Sequence, residues 1–173
     1  MREDLDEFIG SLSVKILPLF MSVLWLIAAR IPLHSEIFAN ARPLAGLMCV
    51  YFWSLYRPDL FGLVSVLILG ITADILSLAP FGLYLFIYLI QYLIVVNSAK
   101  YAGDKTFETA WLGICITMLP ALFAGWLLAS VYYAFLLPLK GLFFSYLLSV
   151  ALYPILGGAN AFMLNVLMKD EEL

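Results

Sequence analysis

Apolar positions along this chain come in long runs separated by short polar breaks, not in the alternating or one-faced patterns of a water-soluble domain. The runs predict six helical crossings, at about residues 14–29, 43–56, 60–76, 83–96, 110–137 and 141–168. A hydrocarbon core of about 30 Å takes about 20 helical residues. The second run, about 21 Å long at 1.5 Å per residue, is short, so it must thin the bilayer, use its flanks or be shielded by neighbours. The last two runs exceed one perpendicular crossing and carry Pro120 and Pro154, which predicts tilt or a kink. Ahead of the first run, residues 1–13 place Leu5, Phe8, Ile9 and Leu12 on one helical face opposite four acids, the pattern of a short helix lying at the interface.

The breaks are as informative as the runs. Arg57-Pro58-Asp59 predicts a hard turn, because Pro58 fixes its own φ and pushes Arg57 out of the helical region. Asp59 is then placed to cap the third helix, and Arg57 to meet anionic headgroups or a cytoplasmic partner. Residues 77–82 turn tightly around Pro80. The stretches 31–40, with His34 and Glu36, and 97–108, with Lys100, Asp104 and Lys105, read as polar loops. No internal repeat is visible, so residues 1–173 are expected to form one membrane domain.

Composition sharpens this picture. Of 173 residues, 65% are hydrophobic and 12% charged, with a mean hydropathy of +1.04. Soluble domains average about 45–50% apolar and about 25% charged, so a soluble enzyme, a nucleic-acid binder and a secreted disulfide scaffold are excluded. The net charge of −3 gives no sign of a polyanionic partner. Cys49 and Cys115 lie in apolar runs and read as small core residues. The acidic start argues against a cleavable signal, and the Lys169–Leu173 tail is discounted as a retention signal. With six crossings and the N-terminus inside, six basic residues (Arg2, Lys15, Arg57, Lys100, Lys105, Lys169) face the cytoplasm and three (Arg30, Arg42, Lys140) the other side, which favours N-in, C-in.

Ionisable groups inside membrane segments are costly and are candidates for function. Asp74 is the clear case, with Arg42 entering the second run from the same side. A docking or transport site is one reading; a structural Asp74–Arg42 pair, or a cap-like turn contact, is the other. Catalysis finds no support: one histidine makes no metal pair, only Glu36 could approach Asp74 as a second acid, and no nucleophile turn or phosphate loop occurs. No cofactor and no metal are expected. Small residues recur at Ala121, Gly125 and Ala129, at Ser145 and Ser149, and at Gly157, Ala161 and Asn165. Such stripes let helices approach closely, either inward or toward a partner helix. Tyr51, Trp53, Tyr56, Trp111, Tyr132 and Tyr133 are read as interfacial belts.

Taken in order, Arg42-Pro43, the aromatic short helix with Tyr51 and Trp53, Arg57-Pro58-Asp59, Gly70, Asp74-Ile75-Leu76 and Pro80-Phe81-Gly82 resemble MreD, the rod-shape-determining membrane protein family of bacteria. The matching block, residues 42–92, covers under a third of the chain, with Tyr153-Pro154 a weaker match. The acidic N-terminal extension departs from the pattern. The resemblance implies an all-α bundle of six transmembrane helices, similar to the substrate-binding subunits of energy-coupling-factor transporters, in the bacterial cytoplasmic (inner) membrane. It implies a non-enzymatic scaffold of the cell-elongation machinery that docks the bitopic shape protein MreC. Through MreC it would link MreB filaments to the glycosyltransferase RodA and its transpeptidase, guiding peptidoglycan synthesis. The alternative is a vitamin-type binding subunit of an energy-coupling-factor transporter.

Overall fold

A computed structural model describes residues 16–30, 42–77, 79–99 and 106–171. The expected interfacial helix at 1–13, the loop carrying His34 and Glu36, and the loop residues 100–105 lie outside them. Six helices and no strand are seen among the described residues. They are α1 (Ile16–Ala28), α2 (Ala45–Tyr56), α3 (Leu63–Leu76), α4 (Leu83–Ala99), α5 (Phe107–Tyr133) and α6 (Leu139–Glu171). Each falls within or close to one predicted run, because length of apolar run and position of Gly and Pro are local properties. The fifth starts and ends a few residues earlier than expected, and the fourth continues to Ala99 where a polar loop was expected from residue 97. Asn97 and Ser98 stay helical by donating their side chains to carbonyls one turn back, Leu93 O and Val95 O.

Two helices are long and apolar enough to cross a membrane: α5, and α6 through Asn165. Both run unbroken past their internal prolines. The other four are shorter apolar helices. The molecule is apolar on its outside as well as its inside. Ile16, Phe20, Leu24 and Ile27 form an exposed ridge on α1, and Ile116, Leu119, Phe123 and Val131 do so on α5. Contiguous apolar surface on this scale is foreign to a protein in water, and helices apolar all round belong in lipid.

The shortest helix is the most enclosed. Every residue from Ala45 to Leu55 of α2 is buried, and α2 touches α3, α4, α5 and α6. The short second run is thus shielded by its neighbours, one of the three accommodations expected of it. This also corrects the reading of its aromatic residues: Trp53 is fully buried and Tyr51 nearly so, so they are core groups and not an interfacial belt. Tyr51 meets Tyr153 of α6 edge-on at 5.8 Å and donates its hydroxyl to Ala110 O of α5 at 2.8 Å. Gly113, on α5, leaves the room that hydroxyl needs. Trp111, Tyr132 and Tyr133 remain exposed near helix ends, as belts require.

Candidate functional site

The residues singled out by sequence gather mainly at one end of the bundle, where α1 and α3 finish and α2 and α4 begin. Arg30, just after α1, donates from Nη2 to Ala73 O of α3 at 3.3 Å, which ties these ends together. Its guanidinium lies 5.6 Å from the centre of the Tyr84 ring of α4, within cation–π range.

Asp74, 3% exposed, organises this end. Its Oδ2 accepts from the amides of Gly82 (2.9 Å) and Leu85 (3.3 Å), and its Oδ1 accepts from the amide of Tyr84 (2.8 Å). The first amides of any helix lack intrahelical partners. A carboxylate there satisfies them and complements the positive end of the helix dipole. The cap for α4 therefore comes from the preceding helix, across the turn. Gly82 takes φ +94°, a conformation that a side chain would strain, and so aims its N–H at the carboxylate. One turn before Asp74, Gly70 lets α3 close on α4: a Cβ there would lie 2.7 Å from Leu85 Cα. Gly70, Asp74, Pro80 and Gly82 are thus parts of one α3–α4 hairpin.

The Asp74–Arg42 pair is not formed. Both carboxylate oxygens are taken by α4 amides, and among the described residues the one ion pair is Arg57–Asp59. The cap-like alternative for Asp74 is the one seen. Arg42 instead uses its backbone, donating N–H to Ser145 Oγ of α6 at 3.1 Å. Two residues on, Leu44 N–H donates to Ser149 Oγ at 2.8 Å. Pro43 between them has no N–H to satisfy. The serines expected only to permit close packing therefore fasten the segment leading into α2 to α6.

At the opposite end, the Arg57-Pro58-Asp59 turn differs from expectation. Asp59 does not cap α3, which starts at Leu63 with Gly62 at its N-cap and no side-chain cap. Asp59 binds Arg57 instead, with Nε 3.2 and 3.1 Å from its two oxygens and Nη2 3.0 Å from Oδ2. The reason is spacing: the chain turns through Leu60 and Phe61, whose amides bond Arg57 O, so the helix begins beyond the reach of Asp59. The hydrogen bond from Arg57 holds the Asp59 carboxyl below its ordinary pKa.

The α5 stripe faces inward. Ala121, Gly125 and Ala129 are buried, and a side chain at Gly125 would run into Ile87 of α4. Gly157 is buried and Ala161 half-buried, whereas the neighbouring Gly158 faces open space. Sequence reading missed the Gln91–Thr117 hydrogen bond between α4 and α5 (3.1 Å), although a glutamine inside an apolar run was a visible signal. No group of three or more His, Cys, Asp or Glu able to hold a metal occurs among the described residues.

Comparison with known proteins extends the resemblance well beyond the central block. The sequence model of the family described as rod shape-determining protein MreD matches residues 8–164, nearly the whole chain. Neither a curated protein nor a solved structure matches. Since the matched stretch takes in all the elements of the α3–α4 hairpin and the two serines that bond Arg42 and Leu44, the chain belongs to the MreD family of rod shape-determining membrane proteins.

Proposed function

We propose that the chain is a non-enzymatic, six-span scaffold of the cell-elongation machinery in the bacterial inner membrane. In this reading it docks the transmembrane helix of an MreC-type bitopic protein and so guides peptidoglycan synthesis. The family match over residues 8–164 carries this reading. The basic-residue count supports N-in, C-in orientation.

The docking face is assigned to the outer side of α6, around Ala151, Ile155, Gly158 and Phe162. All four are exposed, and Gly158 is the small residue of this face with no atom near its missing side chain. Helices associate in lipid through close approach at such positions. The inward α5 stripe is unsuited to a guest helix because α4 already fills it.

Co-purification of the MreC-type partner tests the assignment, with membrane-inserted protein quantified alongside. Gly158→Leu should leave accumulation intact and lower partner recovery. Gly125→Leu should lower accumulation itself. Full partner recovery with Gly158→Leu removes α6 as the docking face. Normal rod shape after clean deletion, with a vitamin-uptake defect, would transfer the chain to the transport-subunit reading.

A further inference from the structure

An open groove of about 400 Å³ runs between α1, α2 and α6. Its walls are Trp25 and Ala28 of α1, Met48 of α2, and Leu152, Ile155 and Leu156 of α6, with Ala29, Pro43 and Ala45 at one end. The volume lies within the roughly 300–1,000 Å³ of ordinary ligand sites, but the lining is almost wholly apolar. Its occupant is therefore held there by hydrocarbon.

At the α1/α2 end the chemistry changes. Ala29, Pro43 and Ala45 also form a wall of a second, narrow cleft of about 40 Å³, lined by Arg30, Arg42, Tyr84 and Tyr88. By volume that cleft suits a small polar group and not an acyl chain. Two guanidinium-bearing residues thus stand where the apolar groove ends. Arg30 is already oriented by Ala73 O and the Tyr84 ring, and one such bond leaves most of its five N–H donors for other acceptors. Both oxygens of the nearby Asp74 carboxylate are engaged by the amides of Gly82, Tyr84 and Leu85 and not by either arginine.

We infer that this composite site binds a phosphate-headed anionic membrane lipid, one acyl chain lying in the α1/α2/α6 groove and the phosphate held by Arg30 and Arg42. Charge complementarity selects this occupant over a second apolar helix, which would leave both arginines facing hydrocarbon. Arginine suits it, since the planar fork matches phosphate oxygens and is weakly hydrated. The inference goes beyond the docking role: the groove shares Ile155 with the α6 face assigned to docking, but Gly158 lies outside its lining and the arginines outside the docking face.

Trp25 in the groove wall supplies the test. Purified full-length protein in detergent is titrated with phosphatidylglycerol or phosphatidylcholine carrying brominated acyl chains, and fluorescence quenching is read. Subtracting the Trp25→Phe variant isolates the Trp25 component. Quenching of that component should favour phosphatidylglycerol by about tenfold, and Arg42→Gln should reduce the preference about fivefold. Ala28→Phe, which fills the groove from its open side, should remove quenching by both lipids. A large excess of inorganic phosphate should not displace the lipid. Equal quenching by the two lipids, an unchanged preference in Arg42→Gln, or displacement by inorganic phosphate would each overturn the proposal. Circular dichroism of each variant controls for folding, and because the Arg42 side chain is exposed, that variant carries the test if Arg30→Gln is unstable.

Discussion

Two aspartates, each near a proline in a turn between helices, end up with opposite roles. Asp74 is buried, and its two oxygens take three amides at the start of α4, those of Gly82, Tyr84 and Leu85. Asp59, whose side chain is 58% exposed, pairs with Arg57 two residues away and does not cap α3. The difference follows from what each carboxylate can reach. Pro80 lies six positions beyond Asp74, enough for the chain to fold the start of α4 back over it. Asp59 directly follows its proline, and the intervening turn carries the start of α3 beyond it. An acid becomes structural when a helix start with unpartnered amides is brought to it in a place water does not reach.

Removing Asp74 should have the largest effect. Asp74→Ala leaves buried amides without an acceptor, costing about 3 kcal/mol, read as a fall in melting temperature in detergent and in membrane accumulation. Asp74→Asn should fall between, retaining one acceptor oxygen. Combining Asp74→Ala with Arg42→Ala should give additive losses, because the two side chains share no contact; a double variant markedly better than the sum would restore the ion pair.

Gly125→Leu ranks next, at about 1–3 kcal/mol, as overpacking against Ile87 forces α4 and α5 apart. Protein levels and thermal stability should both drop, whereas Gly158→Leu should be close to neutral in the same assay. Gly82→Ala should cost about 1–2 kcal/mol from its positive φ alone, since a Cβ there meets no atom within 4 Å. A melting point equal to that of the parent would show that the turn relaxes without disturbing the Asp74 cap.

Asp59→Ala should be the mildest, below about 1 kcal/mol, as for other exposed ion pairs. Its pH dependence has a definite sign. The folded pKa is lowered by Arg57, so the contribution is present above the ordinary carboxyl pKa of about 3.9 and is lost as pH falls through the lowered folded value. The difference in stability between parent and variant should vanish at the acid end of a pH series and fade in high salt. A loss as large as that of Asp74→Ala would erase the contrast between the two aspartates.

What the sequence determined by itself was local. Run length and composition predicted six apolar helices and a membrane protein, and Gly and Pro marked the breaks, because helix formation and solvent preference are properties of contiguous residues. The ordered motifs from Arg42 to Gly82 were enough to suggest the family. Tertiary structure decided which group met which. Ser145 and Ser149 receive amides from residues more than 100 positions earlier, a relation that no spacing along the chain encodes. The same holds for the enclosure of α2 by four other helices, the inward turn of the Gly125 stripe, and the approach of Arg30, in place of Arg42, to the α3–α4 hairpin. In each case several partners had the right chemistry, and the choice went to the one that packing brought within hydrogen-bond or van der Waals distance.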